Sequence, residues 1–245
     1  NWIEGSKFTI VPYFTNAAKT FIDSLAIGIS TLDKEQIVYY SVSPINSQTD
    51  NAEWKQGNSI IIKESSMVSA YSIDKAGNKS YVIEGKFFRF TPDKTISTKS
   101  KYSSQYNAGG PNGLIDGIRG EKDFRLGGWQ GYQGQVFESV IDLGSIKPIK
   151  RIAAGFLQDA RPWIWMPKYV EFWTSDDGQN FALAATVNND IPENQMEVII
   201  KDFDTKVDLK ARYIKIFAKN FGNIPQWHPG AGYPAYIFID EIIVE

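Results

Sequence analysis

The sequence contains no cysteine and only one histidine, His228, among its 245 residues. Without cysteine there can be no disulfides, thiolate zinc sites or cysteine nucleophiles. One histidine cannot build a multi-histidine metal site. A Ser-His-Asp triad would have to use His228, and no Gly-x-Ser-x-Gly motif supplies the serine. Composition alone therefore excludes several classes of enzyme.

Long apolar runs and an excess of positive charge are also missing. No run approaches the roughly 18 apolar residues that a membrane-spanning helix needs. The formal net charge is -2, and the basic residues are scattered rather than clustered. We therefore predict no nucleic-acid partner and no membrane insertion. The chain begins without Met or a signal-peptide pattern, which favours a piece of a longer protein.

Aromatic residues are abundant. The chain has 7 Trp, 12 Tyr and 15 Phe, together 14% of its residues. Many of them fall in stretches rich in Gly and Pro, where core packing is a weaker explanation than in strands. Aromatic faces in loops suit flat, partly apolar ligands such as sugar rings. This composition indicates a binding surface.

The hydrophobic pattern predicts an all-β protein with two domains. Short alternating segments are separated by turn signals, and no stretch has a convincing helical period. About seven such segments fill the first 90 residues, which is the size of an immunoglobulin-like sandwich. Residues 91–94 interrupt the pattern, so we predict domains at 1–91 and 95–245. In the second domain, Asp177-Gly178 predicts a hairpin, and two long loops, 157–168 and 219–235, are typical of functional segments.

Five short motifs occur in order along the second half, at residues 114–117, 141–144, 170–178, 211–216 and 239–242. Together they resemble the coagulation-factor-five/eight type C family, also called discoidin-like, which includes many carbohydrate-binding modules. The resemblance covers residues 94–245. It implies a galactose-binding-like jelly-roll β-sandwich that binds ligands on loops at one end.

A narrower resemblance concerns the parent protein. Residues 128–134, 156–159, 163–167 and 230–232 resemble the version of this domain that is appended to family 20 glycoside hydrolases, which are β-N-acetylhexosaminidases frequent in Bacteroidetes. Residues 38–40, 68–71 and 75–80 resemble the chitobiase/β-hexosaminidase C-terminal domain, a fibronectin-III-like sandwich. Residues 43–46 depart from that family's usual Asp-Gly-Ser turn. These resemblances imply an accessory region that follows a catalytic domain in the same chain. They also imply a bacterial protein that is periplasmic, outer-membrane-attached or secreted.

Catalysis by this segment is not expected. Glycoside hydrolysis normally needs two carboxyl groups held over the scissile bond. Family 20 enzymes build theirs on a (β/α)₈ barrel, and this chain lacks the alternation of strands and helices that such a barrel requires. The adjacent acids Asp176 and Asp177 fall in a turn, where Asp is favoured for its backbone hydrogen bonds.

The family resemblance also implies a structural calcium ion. Carried over by position, Asp116 and Glu241 supply carboxylates, and Gly113, Ile118, Glu121 and Asp240 supply backbone carbonyls. Calcium takes six to eight oxygen ligands of this mixed kind, and the ion would tie an early loop to the last strand. The alternative is an Asp-Gly turn and an exposed Glu near the chain end.

Aromatic and polar residues of the two long loops are the candidates for sugar binding. Stacking faces would come from the aromatic residues, and hydrogen bonds from polar residues, Gln226 and Asn223 among them. The alternatives are packing inside the domain, because residues 163 and 165 would share one face of an extended segment, and docking against a catalytic domain. The candidates are Arg161, Trp163, Trp165, Trp227, His228 and Tyr233.

These observations lead to a ranking of functions. The leading hypothesis is an accessory region that binds glycans containing N-acetylhexosamine or galactose. The runner-up is a structural module that supports the catalytic domain and binds no sugar. Discoidin-like adhesion to protein or lipid ranks last, because only Arg161 and Lys168 flank the Trp-containing loop.

Overall fold

The computed structural model describes residues 8–15, 18–45, 53–90 and 92–245. The chain divides into two compact units, Asn1–Thr91 and Pro92–Glu245. The described parts contain strands and a short 3₁₀ turn at Phe124–Leu126, so the prediction of an all-β protein is confirmed. Within these ranges there is no helix long and apolar enough to cross a membrane.

The described residues of the first unit form two sheets. Three strands form one sheet in the order β1-β3-β6, and five form the other in the order β2-β8-β7-β4-β5. Alternate residues of these strands, such as Ile27, Ile62 and Val68, are buried in a shared core. The strands are β1 (Tyr13–Phe14), β2 (Thr20–Phe21), β3 (Leu25–Ser30), β4 (Ile37–Pro44), β5 (Lys55–Gln56), β6 (Ser59–Ile62), β7 (Ser66–Ile73) and β8 (Ile83–Arg89).

The second unit is a jelly-roll β-sandwich built around two very long strands. The strand order is β10-β15-β11-β14-β12-β13, and β9 pairs with β11 beside this path. The strands are β9 (Thr95–Thr98), β10 (Gln130–Gln133), β11 (Phe137–Gln158), β12 (Tyr169–Ser175), β13 (Ala182–Asn188), β14 (Ile199–Ala218) and β15 (Tyr236–Val244).

Strands β11 and β14 each contribute to both layers of this sandwich. The first part of β11 pairs with β9 and its last part pairs with β15. Strand β14 pairs antiparallel with β11 along both parts. Register shifts between Asp142 and Lys147 and between Ile149 and Arg151 mark the irregularity between the two parts. Bulges bend strands in this way at the corners of sandwiches. The sequence pattern predicts two separate strands in each of these regions, at 136–143 and 149–156 and at 197–203 and 212–218, with Gly144 and Pro148 interrupting the alternation in the first region. The structure has one strand in each region, so that prediction is wrong.

The core lies between the two layers. Phe137, Ile141, Phe156, Phe172 and Phe203 are fully buried there. They follow the alternation of their strands, since the inward face of a strand recurs at every second residue. The predicted hairpin is confirmed, because β12 and β13 pair antiparallel across the Asp177-Gly178 turn. This core supports the loops that carry the candidate site.

Candidate functional site

Three loops of the second unit meet around an open cavity of about 590 Å³. Two of them lie in the predicted long loops, after β11 and before β15, and the third connects β13 to β14. Loops positioned by a rigid sandwich are a common location for binding sites. The residues that line the cavity are Arg161, Trp163, Asn194, Met196, Trp227, His228 and Pro229.

Trp163 lies at a tight turn that directs its indole into the cavity wall. Its backbone has a φ of 74°, a left-handed conformation that is rare for a bulky residue and costs energy. The turn is closed by paired backbone hydrogen bonds of 3.1 Å between Asp159 and Ile164. The Trp163 ring stacks on Tyr233 at a centroid distance of 5.3 Å, and Gly230 lies so close that an added methyl group would be 2.7 Å from Trp163 Nε1.

Trp165 was expected to offer a stacking face, and the structure contradicts this. Its side chain is only 1% exposed and packs with Ala160, Ile224 and Ala235. The left-handed turn at Trp163 breaks the alternation of the segment, so residues 163 and 165 do not share a face. Trp165 is therefore a buried residue that packs against the cavity-lining rings of Trp227 and His228.

Trp227 and His228 are adjacent in sequence and have different surroundings. Trp227 is 45% exposed, whereas His228 is 7% exposed. The two rings are nearly perpendicular at 5.5 Å, and each is also edge-to-face with Trp165. His228 Nδ1 accepts a hydrogen bond of 2.9 Å from the backbone N–H of Gly230. Because Nδ1 accepts, Nε2 is the donor nitrogen of the neutral ring.

The remaining candidate residues are exposed. Arg161 lines the cavity, and its Nε donates to the buried carboxylate of Asp159 at 3.3 Å. Tyr233 is 60% exposed, and it backs Trp163 without lining the cavity itself. Asn223 and Gln226 are exposed on the same loop and also lie outside the lining. The structure thus gathers Arg161, Trp163, Trp227 and His228 in one place.

The third wall of the cavity is the loop at residues 189–198, which was not predicted from the sequence. Asn194 and Met196 project from it. Buried side chains hold its backbone: Gln158 Nε2 donates to Pro192 O at 2.9 Å, and Trp165 Nε1 donates to Glu193 O at 2.9 Å. The Asn, Asp and Pro residues of this segment are an ordinary turn signal, and the sequence offers no indication that the loop faces the other two.

The predicted calcium ligands lie where the loop at residues 113–121 meets β15. Gly117 N–H donates to Glu241 Oε2 at 3.2 Å, and Ile118 N–H donates to Asp116 Oδ1 at 2.9 Å. The carboxylate of Asp240 faces away from this pair and accepts from Arg119 Nε at 2.8 Å and from the backbone of residues 120 and 241. The backbone carbonyl of Asp240 is therefore the group that stays a predicted calcium ligand.

The surroundings of Glu241 fit a bound cation. Its side chain is nearly buried, and burial together with the nearby carboxylate of Asp116 raises its pKa to about 8, while Lys94 acts in the opposite direction. An exposed Glu, the alternative reading, is thereby excluded. Two carboxylates and loop carbonyls are hard oxygen donors of the kind calcium takes.

The carbonyl of Glu121 already accepts the indole N–H of Trp129 at 2.9 Å, so it is the least suitable predicted ligand. In the described part of the chain, no cluster of three or more His, Cys, Asp or Glu residues gathers as a metal site.

Comparison with protein families assigns the second unit. Residues 95–238 match the F5/8 type C domain, which is more than half of the chain. The chain belongs to the F5/8 type C family. The family resemblance inferred from the five motifs is therefore confirmed, and the domain is a non-catalytic one.

Several solved structures are similar to this F5/8 type C chain. The family 32 carbohydrate-binding module of Clostridium perfringens NanJ, solved with galactose, has 19% identity and a TM-score of 0.40, over 62% of this chain and 93% of that one. The C-terminal domain of a chitobiase from Bacteroides fragilis has 23% identity and a TM-score of 0.36, over 62% and 93%. A module solved with GalNAc-β-1,3-galactose, CpGH89CBM32-5 from C. perfringens, has 18% identity and a TM-score of 0.39, over 62% and 94%. No curated protein matches the chain.

Proposed function

We propose that the F5/8 type C unit binds carbohydrate in the cavity between its three loops. One observation carries this proposal: an exposed indole, Trp227, lies beside hydrogen-bonding groups that the fold holds in place. Ligand sites commonly combine a mainly apolar concave surface with a few fixed polar groups. The apolar face of a pyranose covers the indole, and the hydroxyl rim meets the polar groups.

The polar groups of the cavity are mainly donors. His228 presents Nε2–H, Arg161 presents its terminal guanidinium nitrogens beyond the Nε bond to Asp159, and Asn194 presents an amide. Met196 and Pro229 add apolar surface at the rim. Such a lining suits a neutral sugar that offers acceptor oxygens and a small apolar substituent. The proposed ligand is a glycan that contains N-acetylhexosamine, which has both features, or galactose, which offers the acceptor oxygens alone.

Calorimetric titration tests this proposal. The chain is titrated with galactose, N-acetylgalactosamine and N-acetylglucosamine, and we expect weak, reversible binding of at least one of them. Trp227→Ala removes the stacking face and is expected to lower the affinity at least about tenfold, as for other central aromatic contacts. Gln226→Ala is the matched control, because Gln226 is exposed on the same loop outside the cavity lining, and it should leave the affinity unchanged.

A flat titration with all three sugars, repeated on a glycan array, would remove sugar binding as the function. Structural support for a catalytic domain would then be preferred, since Trp227 and Tyr233 are large exposed aromatics of the kind found at contacts between domains.

The proposal extends to the parent protein. We infer an accessory region of a secreted, periplasmic or outer-membrane-attached bacterial β-N-acetylhexosaminidase, in which the first unit is a fibronectin-III-like domain. Its three-stranded and five-stranded sheets around one core support this reading. Hydrolysis of a chromogenic N-acetyl-β-glucosaminide by the longer protein, and not by residues 1–245, is the expected result. Activity of this segment alone would contradict it.

Calcium completes the proposal. Asp116 and Glu241 would hold the ion with carbonyls of residues 113, 118 and 240, and its charge would balance the two carboxylates. The nearly buried, weakly hydrogen-bonded carboxylate of Glu241 supports this assignment.

A further inference from the structure

Two indole N–H groups converge on one residue of the third loop, Glu193. The buried Trp165 donates from Nε1 to the backbone carbonyl of Glu193 at 2.9 Å. The exposed Trp227 donates from Nε1 to the Glu193 carboxylate oxygen Oε1 at 3.4 Å. Glu193 itself does not line the cavity. It therefore links the interior of the domain to the ring that the proposed ligand would cover.

The backbone of Glu193 is well fixed. Besides the bond from Trp165, the neighbouring Pro192 carbonyl accepts from Gln158 Nε2 at 2.9 Å, and Gln158 is buried at the end of β11. Buried hydrogen bonds of this kind cannot be exchanged for water without cost. The end of a core strand thus fixes the backbone from which the Glu193 side chain reaches Trp227.

The indole of Trp227 has less support of its own. Its neighbours Trp165 and His228 contact it edge-to-face, at 6.4 and 5.5 Å between ring centroids. Such contacts leave the ring free to tilt, since aromatic pairs tolerate a range of angles. A hydrogen bond from Nε1 to a charged acceptor restricts that tilt, and it also decides which edge of the indole points away from the ligand.

We propose that Glu193 is a positioning residue of the cavity, which fixes the Trp227 indole through its carboxylate and the wall carrying Asn194 and Met196 through its backbone. The expected effect of Glu193 on sugar affinity rests on the proposed function. The expected effect of Glu193 on Trp227 is independent of any ligand. The contact is exposed, so we expect a modest contribution, about two- to fivefold in affinity.

Three variants of the full chain test this role. Glu193→Ala removes the acceptor, Glu193→Gln keeps an oxygen acceptor without the charge, and Glu197→Ala is the matched control. Glu197 is exposed on the same loop, and among the described residues its side chain makes no hydrogen bond or ion pair. The indole N–H resonance of Trp227, assigned by its loss in Trp227→Phe, is measured in the free protein by nitrogen-15 NMR.

The expected result is that Glu193→Ala shifts and broadens the Trp227 resonance and weakens binding of the titrated sugar about two- to fivefold. Glu193→Gln should restore most of both, and Glu197→Ala should change neither. An unchanged Trp227 resonance in Glu193→Ala overturns the positioning role whatever the sugar data show. If the Trp227 resonance shifts in Glu193→Ala but the wild-type chain binds no sugar, the positioning role is supported and the proposed function is contradicted.

Discussion

The hydroxyl of Ser139 lies in the core of the F5/8 type C unit without a hydrogen-bond partner. It is the only buried side-chain polar atom in that condition among the described residues. Ser139 faces inward on β11 between Phe137 and Ile141. A buried polar group without a partner destabilises a protein by roughly 1–3 kcal/mol.

Ser139→Ala is therefore expected to stabilise the unit by about 1 kcal/mol, measured by urea denaturation. Ser100→Ala on a neighbouring segment is the contrasting control, because Ser100 Oγ donates to Val136 O at 2.8 Å and accepts from Glu138 N–H at 2.9 Å. That variant should lower the free energy of unfolding. A loss of stability in Ser139→Ala would indicate that its hydroxyl has a partner, such as a water molecule.

At this scale the sequence predicted the types of residue at the site better than their orientation. Of the six main candidates for sugar contact, four line the cavity, and Trp165 and Tyr233 do not; the further polar candidates Asn223 and Gln226 also lie outside it. Trp165 is buried because a left-handed turn at Trp163 changes the direction of the chain, and nothing in a Trp-Ile-Trp segment indicates such a turn. Tyr233 contacts the ring of Trp163 rather than the cavity.

At the scale of elements, the site depends on close packing between two loops. Gly230 approaches the indole of Trp163 so closely that a methyl group would lie 2.7 Å from Nε1 and 2.8 Å from Cε2. The same segment provides the N–H that fixes His228. A side chain at position 230 would therefore displace both an aromatic wall and a donor of the cavity.

Gly230→Ala is expected to weaken sugar binding about tenfold, because overpacking of this kind costs about 1–3 kcal/mol. The fold should persist, since the clash involves a side chain at the rim. Titration measures the affinity, and circular dichroism checks the fold. An unchanged affinity in a folded variant would mean that Trp163 does not take part in binding.

Elements with regular alternation were predictable, and corners were not. The hairpin of β12 and β13 follows from an Asp-Gly turn, which the structure builds with Ser175, Asp177 and Asn180. Strands β11 and β14 were each predicted as two pieces, because a bent strand and two strands joined by a turn have the same hydrophobic pattern. The short strand β10 was missed, since four residues with two glutamines and a glycine carry almost no signal.

At the scale of the whole molecule, the proposed calcium ion joins distant parts of one unit. The loop at residues 113–121 precedes β15 by more than 100 residues. Protein groups already connect them: Ile242 N–H donates to Leu114 O at 2.7 Å, and Arg119 bridges Asp240 and Asp202. At the pair Asp116 and Glu241, burial and the nearby carboxylate of Asp116 raise the pKa of Glu241 to about 8, so the ionised form of Glu241 is disfavoured. A divalent cation between them would favour the ionised form of Glu241 and attract both carboxylates.

Calcium should accordingly stabilise the F5/8 type C unit and leave the first unit unchanged. At a concentration about 100 times its dissociation constant, a ligand of the native state adds roughly 2.7 kcal/mol. For a unit of this size the shift in melting temperature is about 5 to 10 °C. Differential scanning calorimetry with calcium and with a chelator measures it. The effect should be lost in Glu241→Gln and kept in Glu121→Gln, because Glu121 is predicted to use only its backbone carbonyl and its side chain is exposed. Equal shifts of the melting temperature in both variants would mean that calcium binds elsewhere. If calcium does not shift the melting temperature of the wild type, Arg119 and its partners are the connection that holds the loop to the last strand.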